Sequence, residues 1–315
     1  MILNVKTYDL IPDIHGQAEK FKSVLTNLGY FYRNGTWRHS DTDRTCIFLG
    51  DYIDRGHGNR FVLTTVRSMV DSGVALAIMG NHELNAIHYH STHPNSGLPL
   101  RRRSPKNQGQ HESFLDEFPL GGIETLDQIN WMKTLPLFLE LEEFRVVHAC
   151  WNSKSIKFLK ENTQNGVLSN DQFILAAEHK NDIKHHVDTV AKGPEVKLPD
   201  GHKFIDKGGT QRDEIRIKWW NSTAKTWSDL SMSVPNPENL PSSSPPSDLL
   251  ETVYPADAKP VFFGHYWLTG SPHLQAENVL CLDYSAGKGG PLVTYRFEVG
   301  DKRLNLSNIS SSDFS

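Results

Sequence analysis

The sequence predicts an α/β fold built on a parallel sheet with helices on its faces. Three observations carry this. Short apolar runs alternate with helix-period stretches across residues 8–80. Each apolar run ends in a polar motif, and glycines close the intervening helices. Residues 8–11 read as a buried strand leading into Pro12-Asp13-Ile14-His15-Gly16. Phe21, Val24, Leu25 and Leu28 recur at helical spacing, with Gly29 as a C-terminal stop. Residues 46–49 are a second strand, ending at Gly50-Asp51-Tyr52-Ile53-Asp54-Arg55-Gly56. Val62, Leu63, Val66, Met69 and Val70 form an amphipathic helix closed by Gly73. Residues 74–79 are the third strand, followed by Gly80-Asn81-His82-Glu83.

The middle changes character. Residues 85–122 are polar and rich in His, Arg and Gly, and are expected as an excursion above the sheet edges. Residues 123–135 read as a helix, and 138–147 return as strands that deliver Val147-His148-Ala149-Cys150. Residues 153–230 mix helical patches with a hairpin that includes Ile215, Ile217, Trp219 and Trp220. Ser169 and Gln172 have capping-box spacing ahead of residues 173–177. Five prolines and several serines mark 234–246 as an irregular surface loop. Three strands follow, at 260–264, 279–284 and 292–299. Gly264-His265-Tyr266-Trp267 ends the first and Asp283 lies near the end of the second. Residues 307–315 are expected to be a frayed polar tail.

The 315 residues carry a net charge of −4, with 37% hydrophobic and 22% charged side chains. A packed core is expected rather than disorder. The mild acidity argues against a dedicated nucleic-acid binder. No apolar run has membrane-span length, and the first ten residues lack the pattern of a signal peptide. Cys46, Cys150 and Cys281 have no CxxC spacing and read as reduced core thiols of a cytoplasmic protein.

Five of the six motifs supply groups suited to divalent metal. Asp13 and His15 lie two apart at a strand end, Asp51 offers a bridging carboxylate, and Asn81 offers a neutral oxygen. His148 and His265 add imidazoles. This mixture of oxygen and nitrogen donors suits Mn, Fe or Zn better than Mg or Ca. Each motif alone also has a plain reading, as a turn or a satisfied histidine; the ordered set does not.

The first three motifs resemble the signature blocks of the phosphoprotein phosphatase family of calcineurin-like metallophosphoesterases. The Asp54-Arg55-Gly56 extension and the single histidine of Gly264-His265-Tyr266-Trp267 resemble that branch rather than the wider superfamily. Residues 283–290 resemble a strand-turn of its bacterial-type members. The resemblance covers residues 8 to about 90, 138–150 and 260–297. It implies an α/β, four-layer αββα sandwich, here one domain over 1–315 with excursions at about 91–137 and 152–258. Two departures, Pro12 and Ala149-Cys150-Trp151, touch the pocket walls rather than the ligands.

The resemblance also implies roles. Asp13, His15 and Asp51 would hold one divalent ion; Asp51, Asn81, His148 and His265 would hold a second. The pair, about 4 Å apart, would activate a bridging hydroxide for in-line attack on phosphorus. Arg55 would grip phosphate oxygens, His82 would protonate the leaving oxygen, and Asp54 would orient His82. Asp54 could also act as a helix N-cap. A second phosphate-gripping arginine is expected between His148 and His265, where Arg212 and Arg216 are candidates. Tyr266, Trp267 and Trp151 could line the pocket or pack in the core. His88, His90 and His93 read as a histidine-rich loop, and Arg101, Arg102 and Arg103 as an exposed run able to meet a second phosphate or an acidic partner. Lys288 sits in a glycine-rich turn.

The expected activity is hydrolysis of phosphate monoesters on a phosphoprotein or a small phosphorylated molecule. A symmetrical dinucleoside tetraphosphate hydrolase shares the same metal framework. An inactive metal-binding scaffold is disfavoured, because all six ligands, Arg55 and His82 are present. The implied partner is a phosphorylated substrate, with no membrane; the oligomeric state is not legible.

Overall fold

Side chains of alternating parity along the central strands divide between two apolar layers, and this division defines the architecture. The computed structural model describes residues 5–199, 201–206, 209–232, 234–250 and 252–312. The chain runs through β1 (Thr7–Ile11), α1 (Ala18–Asn27), β2 (Tyr30–Arg33), β3 (Thr36–His39), β4 (Arg44–Phe48), α2 (Asn59–Asp71) and β5 (Ala75–Ala77). Then come α3 (Asn81–His90), α4 (Pro105–Glu117), α5 (Ile123–Met132), β6 (Phe138–Glu140) and β7 (Arg145–Val147). Helices α6 (Ser153–Asn162), α7 (Asn170–Ala177) and α8 (Asp182–Lys192) lead to β8 (Glu195–Lys197), β9 (Phe204–Ile205), β10 (Gln211–Arg212), β11 (Glu214–Ile217) and β12 (Ser231–Met232). The chain closes with β13 (Val261–Phe263), β14 (Val279–Cys281), β15 (Val293–Glu298) and β16 (Ile309–Ser311).

One sheet has the order β16-β15-β1-β4-β5 and the other β14-β13-β7-β6. Strands β1, β4 and β5 are parallel, as are β7, β13 and β14. Ile47, Phe262 and Leu280 point into the layer between the sheets, with Leu10, Tyr295 and Phe297. Their neighbours Cys46, Phe48, Val261, Phe263, Val279 and Cys281 point the other way, into the helix-facing core. Phe21, Val24 and Leu25 of α1 and Val62, Leu63 and Val66 of α2 fill that core beside β4, and Ile156, Leu159 and Val190 belong to it from α6 and α8. Helix, sheet, sheet, helix is the expected four-layer order. Among the described residues no helix is long and apolar enough to cross a membrane.

Three regions differ from expectation. The span 85–122 is not a bare excursion. Helix α3 starts at Asn81 and runs to His90, and α4 follows from Pro105, with the Ser104 side chain accepting from the Asn107 N–H. The buried face of α4 is His111, Ser113 and Phe114, so it shows no apolar period. A β2–β3 hairpin turns at Asn34-Gly35, both with positive φ. The tail is not frayed throughout: β16 pairs antiparallel with β15, from Tyr295↔Ile309 to Val293↔Ser311. Residues 313–315 of that expectation lie outside the described residues. The Ser169–Gln172 capping box is present at α7, and 234–246 is irregular apart from one 3-10 turn. Trp219 and Trp220 lie past the end of β11 rather than within it.

Candidate active site

The C-terminal ends of the parallel strands deliver the candidate ligands to one edge of the paired sheets. Asp13 and His15 follow β1, Asp51 follows β4, Asn81 opens α3 after β5, His148 follows β7 and His265 follows β13. His15, Asp51, Asp54, Arg55, His265 and Trp267 all have φ between 50° and 73°. Left-handed backbone costs each roughly 1 kcal/mol, and its concentration here marks a functional turn cluster. Gly50 permits the close approach of two motifs: a Cβ there would meet the Gly80 nitrogen at 2.5 Å.

Asp51 is the centre. Its Oδ1 lies 3.3 Å from His148 Nε2 and its Oδ2 lies 3.6 Å from His15 Nε2. Asn81 Oδ1 lies 3.1 Å from His148 Nε2 and 2.7 Å from His265 Nδ1. Asp13 Oδ2 accepts from the His265 N–H at 2.9 Å. His15 Nδ1 contacts the Ile53 carbonyl and His148 Nδ1 the Leu49 carbonyl, which fixes both rings. Asp13 Oδ1, His15 Nε2 and His265 Nε2 are buried without a hydrogen-bond partner. Orphaned donors and acceptors are rare in protein interiors. Three in one nest of carboxylate, amide oxygen and imidazole fit a pair of divalent cations.

The electrostatics suit that use. Burial, then His82, lower the His15 imidazole to about 4, and burial, then His148, hold His265 well below its ordinary value. Both are neutral, as ligands must be, whereas His148, which burial would lower, is raised by Asp51 to about 10 and would release a proton on binding an ion. Burial alone would raise Asp51, but His148, His82 and His15 outweigh it and hold the carboxylate well below its usual range. Burial, then Asp283, push Asp13 upward, the signature of a carboxylate lacking its counter-charge.

His82 lies beside this nest. Its Nδ1 donates to Asp54 Oδ2 at 2.5 Å, and its Nε2 lies 3.9 Å from Asp51 Oδ2. Burial opposes a charged ring, yet Asp51 and Asp54 prevail and raise its pKa. Asp54 does not cap α2, whose N-cap is Gly58. Asp54, Arg55, His82, Asn81, His265, Trp267 and Arg216 line an open cleft of about 690 Å³, walled by α8. Trp267 stacks on His15 at 5.0 Å, with the Arg55 guanidinium 5.7 Å and Lys288 Nζ 4.1 Å from its ring centre.

Several expectations need correcting. Tyr266 does not line the cleft. It is wedged against Trp220 and Phe263 with 5% of its surface exposed. Arg212 stands off the cleft on exposed β10, bound to Asp206 at 2.9 Å; Arg216 on β11 reaches it, held by Glu195 at 3.2 Å. Trp151 packs under Arg145 and against Phe138. His88 and His90 belong to α3 rather than a loop, and His88 is buried against the Phe173 carbonyl. Arg103 turns back to the Tyr89 carbonyl, whereas Arg101 enters the cleft.

Four supporting residues were not foreseen in these roles. Glu83 Oε2 accepts from the Asp51 and Gly80 N–H groups and Oε1 from Tyr52, latching two motifs together. Its place three residues after the N-cap Gly80 supplies the glutamate half of a capping box. Asn59 Oδ1 accepts from the Asp54 N–H. Asp283 accepts from the Trp267 and Ser285 N–H groups, shaping the His265 turn. His111, from α4, contacts the second oxygen of Asp54; no motif announces it.

This fold and this edge of converging ligands belong to a known class. The calcineurin-like phosphoesterase model matches residues 7–187, and the chain is a member of that family, one of metal-dependent phosphoric ester hydrolases. Among curated proteins, it is 40% identical over 74 residues to an asymmetrical bis(5'-nucleosyl)-tetraphosphatase PrpE of Oceanobacillus iheyensis, covering 24% of this chain and 29% of that one. The Bacillus subtilis protein of the same name is 35% identical over 75 residues, covering 24% and 30%. The chain thus matches under a third of the length of these relatives. Among solved structures, a cold-active protein-tyrosine phosphatase of a Shewanella species has a TM-score of 0.50 at 14% identity, covering 94% of this chain and 76% of that one. A Saccharomyces cerevisiae serine/threonine phosphatase has 0.50 at 11%, covering 98% and 79%. Both likenesses concern the fold alone.

Proposed function

We propose that the protein hydrolyses phosphate monoesters at a dinuclear centre of Mn, Fe or Zn. Asp13, His15 and Asp51 would hold one ion; Asp51, Asn81, His148 and His265 would hold the other. The observation that carries this reading is the set of orphaned buried donors around Asp51, set beside the His82–Asp54 pair. Bound there, the two ions supply an activated water nucleophile and charge neutralisation at phosphorus. The chain's own residues do the rest. Arg55 grips phosphate oxygens with its planar fork, and Arg216, which lines the same cleft beside Glu195, adds a second guanidinium within it. His82 delivers a proton from Nε2 to the departing oxygen. Asp54 orients that ring and favours its charged form.

His82→Asn tests this. Turnover should fall strongly for poor leaving groups and little for good ones, with metal content intact. Equal loss across leaving groups contradicts the acid role.

A second reading is favoured by the named activity of the PrpE relatives: hydrolysis of dinucleoside tetraphosphates, of the asymmetrical rather than the symmetrical kind. A dominant rate with diadenosine tetraphosphate over p-nitrophenyl phosphate and phosphopeptides selects it.

A further inference from the structure

The cleft contains more positive charge than one phosphate requires, and its cations differ in how they are held. Lys184 and Lys192 are both paired with Asp188, at 2.9 and 2.7 Å, and Arg216 with Glu195 at 3.2 Å. Each of these three has a carboxylate partner, though the two lysines share one. Arg101 differs. It has no carboxylate within ion-pair reach among the described residues, yet it is pinned. Its backbone N–H donates to the His88 carbonyl at 2.9 Å, and Nη2 donates to Gln110 Oε1 at 2.8 Å and to Asn107 Oδ1 at 3.3 Å. Both side-chain acceptors are neutral amides. They fix the guanidinium without cancelling its charge, and both use Nη2, leaving the Nε and Nη1 hydrogens for another acceptor. Gln110, which holds Arg101, precedes His111, the α4 residue that contacts Asp54, and both Arg101 and Asp54 line the same cleft. Both Asp54 oxygens face imidazoles, those of His82 and His111, and no ion pair joins Asp54 to Arg101. Lys180, exposed at the cleft wall, is likewise without a carboxylate partner among the described residues.

A partly buried, immobilised and unneutralised guanidinium is a binding site for an anion, and its planar fork matches phosphate. We propose that Arg101, with Lys180 outside it, forms a second phosphate subsite that binds a phosphate carried on the leaving group. The inference rests on the phosphoesterase reading above but moves its substrate from simple monoesters to phosphoanhydrides, small molecules with at least two phosphates in a chain. The scissile phosphate lies at the metal nest by Arg55. His82 protonates the leaving oxygen, and Asp54, which holds His82, also meets His111, whose neighbour Gln110 holds Arg101. The next phosphate along a polyphosphate chain therefore meets Arg101.

The test compares manganese-loaded full-length wild type with Arg101→Gln and Arg101→Lys. Calorimetric titrations with ADP and with AMP, which differ by one phosphate, give an affinity ratio. The kcat/KM ratio of diadenosine tetraphosphate to p-nitrophenyl phosphate gives a second. Both ratios should fall at least tenfold in Arg101→Gln and recover in part in Arg101→Lys, which keeps the charge and loses the fork. Unchanged ratios, or equal losses for both members of each pair, overturn the subsite. A wild type that shows the expected ADP preference but cleaves no phosphate ester contradicts the phosphoesterase reading and leaves the subsite standing.

Discussion

His111 Nδ1 lies 2.7 Å from the Asp54 oxygen that His82 does not use. The carboxylate is thus clamped between two imidazoles, and the far nitrogen of His111 lies 3.0 Å from His90 Nε2. Burial would raise Asp54, but His111 and then His82 hold it well below the carboxylate range. The catalytic pair is therefore a chain of four side chains, anchored in α3 and α4.

Removing His111 should loosen Asp54 without touching the metal ligands. His111→Phe keeps the ring that stacks on Phe114. It should lower stability by about 1–3 kcal/mol, the cost of a lost bond to a buried charge. Turnover should fall more for poor leaving groups than for good ones. A leaving-group series with parallel metal analysis checks this; a uniform loss argues for a merely structural role.

Glu83 binds three backbone N–H groups from two motifs, and burial with Asp51 pushes its carboxyl up to about 7. Glu83→Gln replaces one acceptor oxygen by an amide that faces donors. Stability should drop by about 2 kcal/mol. Metal affinity should weaken roughly 10–100-fold, because Asp51 loses its support. Denaturant melts and calorimetric metal titration measure both.

At Gly264 a Cβ would sit 1.9 Å from Asp13 Oδ1. Gly264→Ala must displace that carboxylate from the nest. The purified variant should hold fewer ions per chain than wild type by elemental analysis. Full metal content would show that Asp13 is dispensable as a ligand.

His88 is buried against the Phe173 carbonyl, and burial lowers its imidazole to about 4. The unfolded ring titrates near 6.5. Between those values the unfolded chain binds a proton that the folded site refuses. Stability is therefore full above about pH 6.5 and falls as pH drops toward 4, by up to about 3 kcal/mol from this group. His88→Gln should be less stable at pH 7.5 and lose less between pH 7 and 5. Thermal melts across that range read the difference; parallel curves for the two proteins contradict it.

The elements that place the ligands were legible because apolar period and motif coincide there. Leu10, Ile47 and Phe262 lie between the sheets while their neighbours Ile11, Cys46 and Phe263 face the helices, and these strands end in the metal motifs. The missed parts have physical reasons. Helix α4 buries the His111 side chain to serve Asp54 and offers Asn59 the Ser113 backbone carbonyl, so its buried face is polar. The β2–β3 hairpin has a local signal, Asn34-Gly35 between aromatic strands. Tyr266 and Arg212 show the limit of proximity in sequence. Neighbouring a ligand, or lying between two, does not fix where a side chain points. Arg216 and Arg212 are four residues apart, and only Arg216 reaches the cleft.

The proposed centre consists of Asp51 and the five side chains around it, holding two ions that the chemistry requires. Titration of metal-free protein with manganese, followed by elemental analysis and p-nitrophenyl phosphate turnover on the same samples, tests it directly. Turnover should rise with metal and plateau at two ions per chain, and Asp51→Asn should abolish both. A plateau at one ion or none, or turnover that ignores the metal, would contradict it.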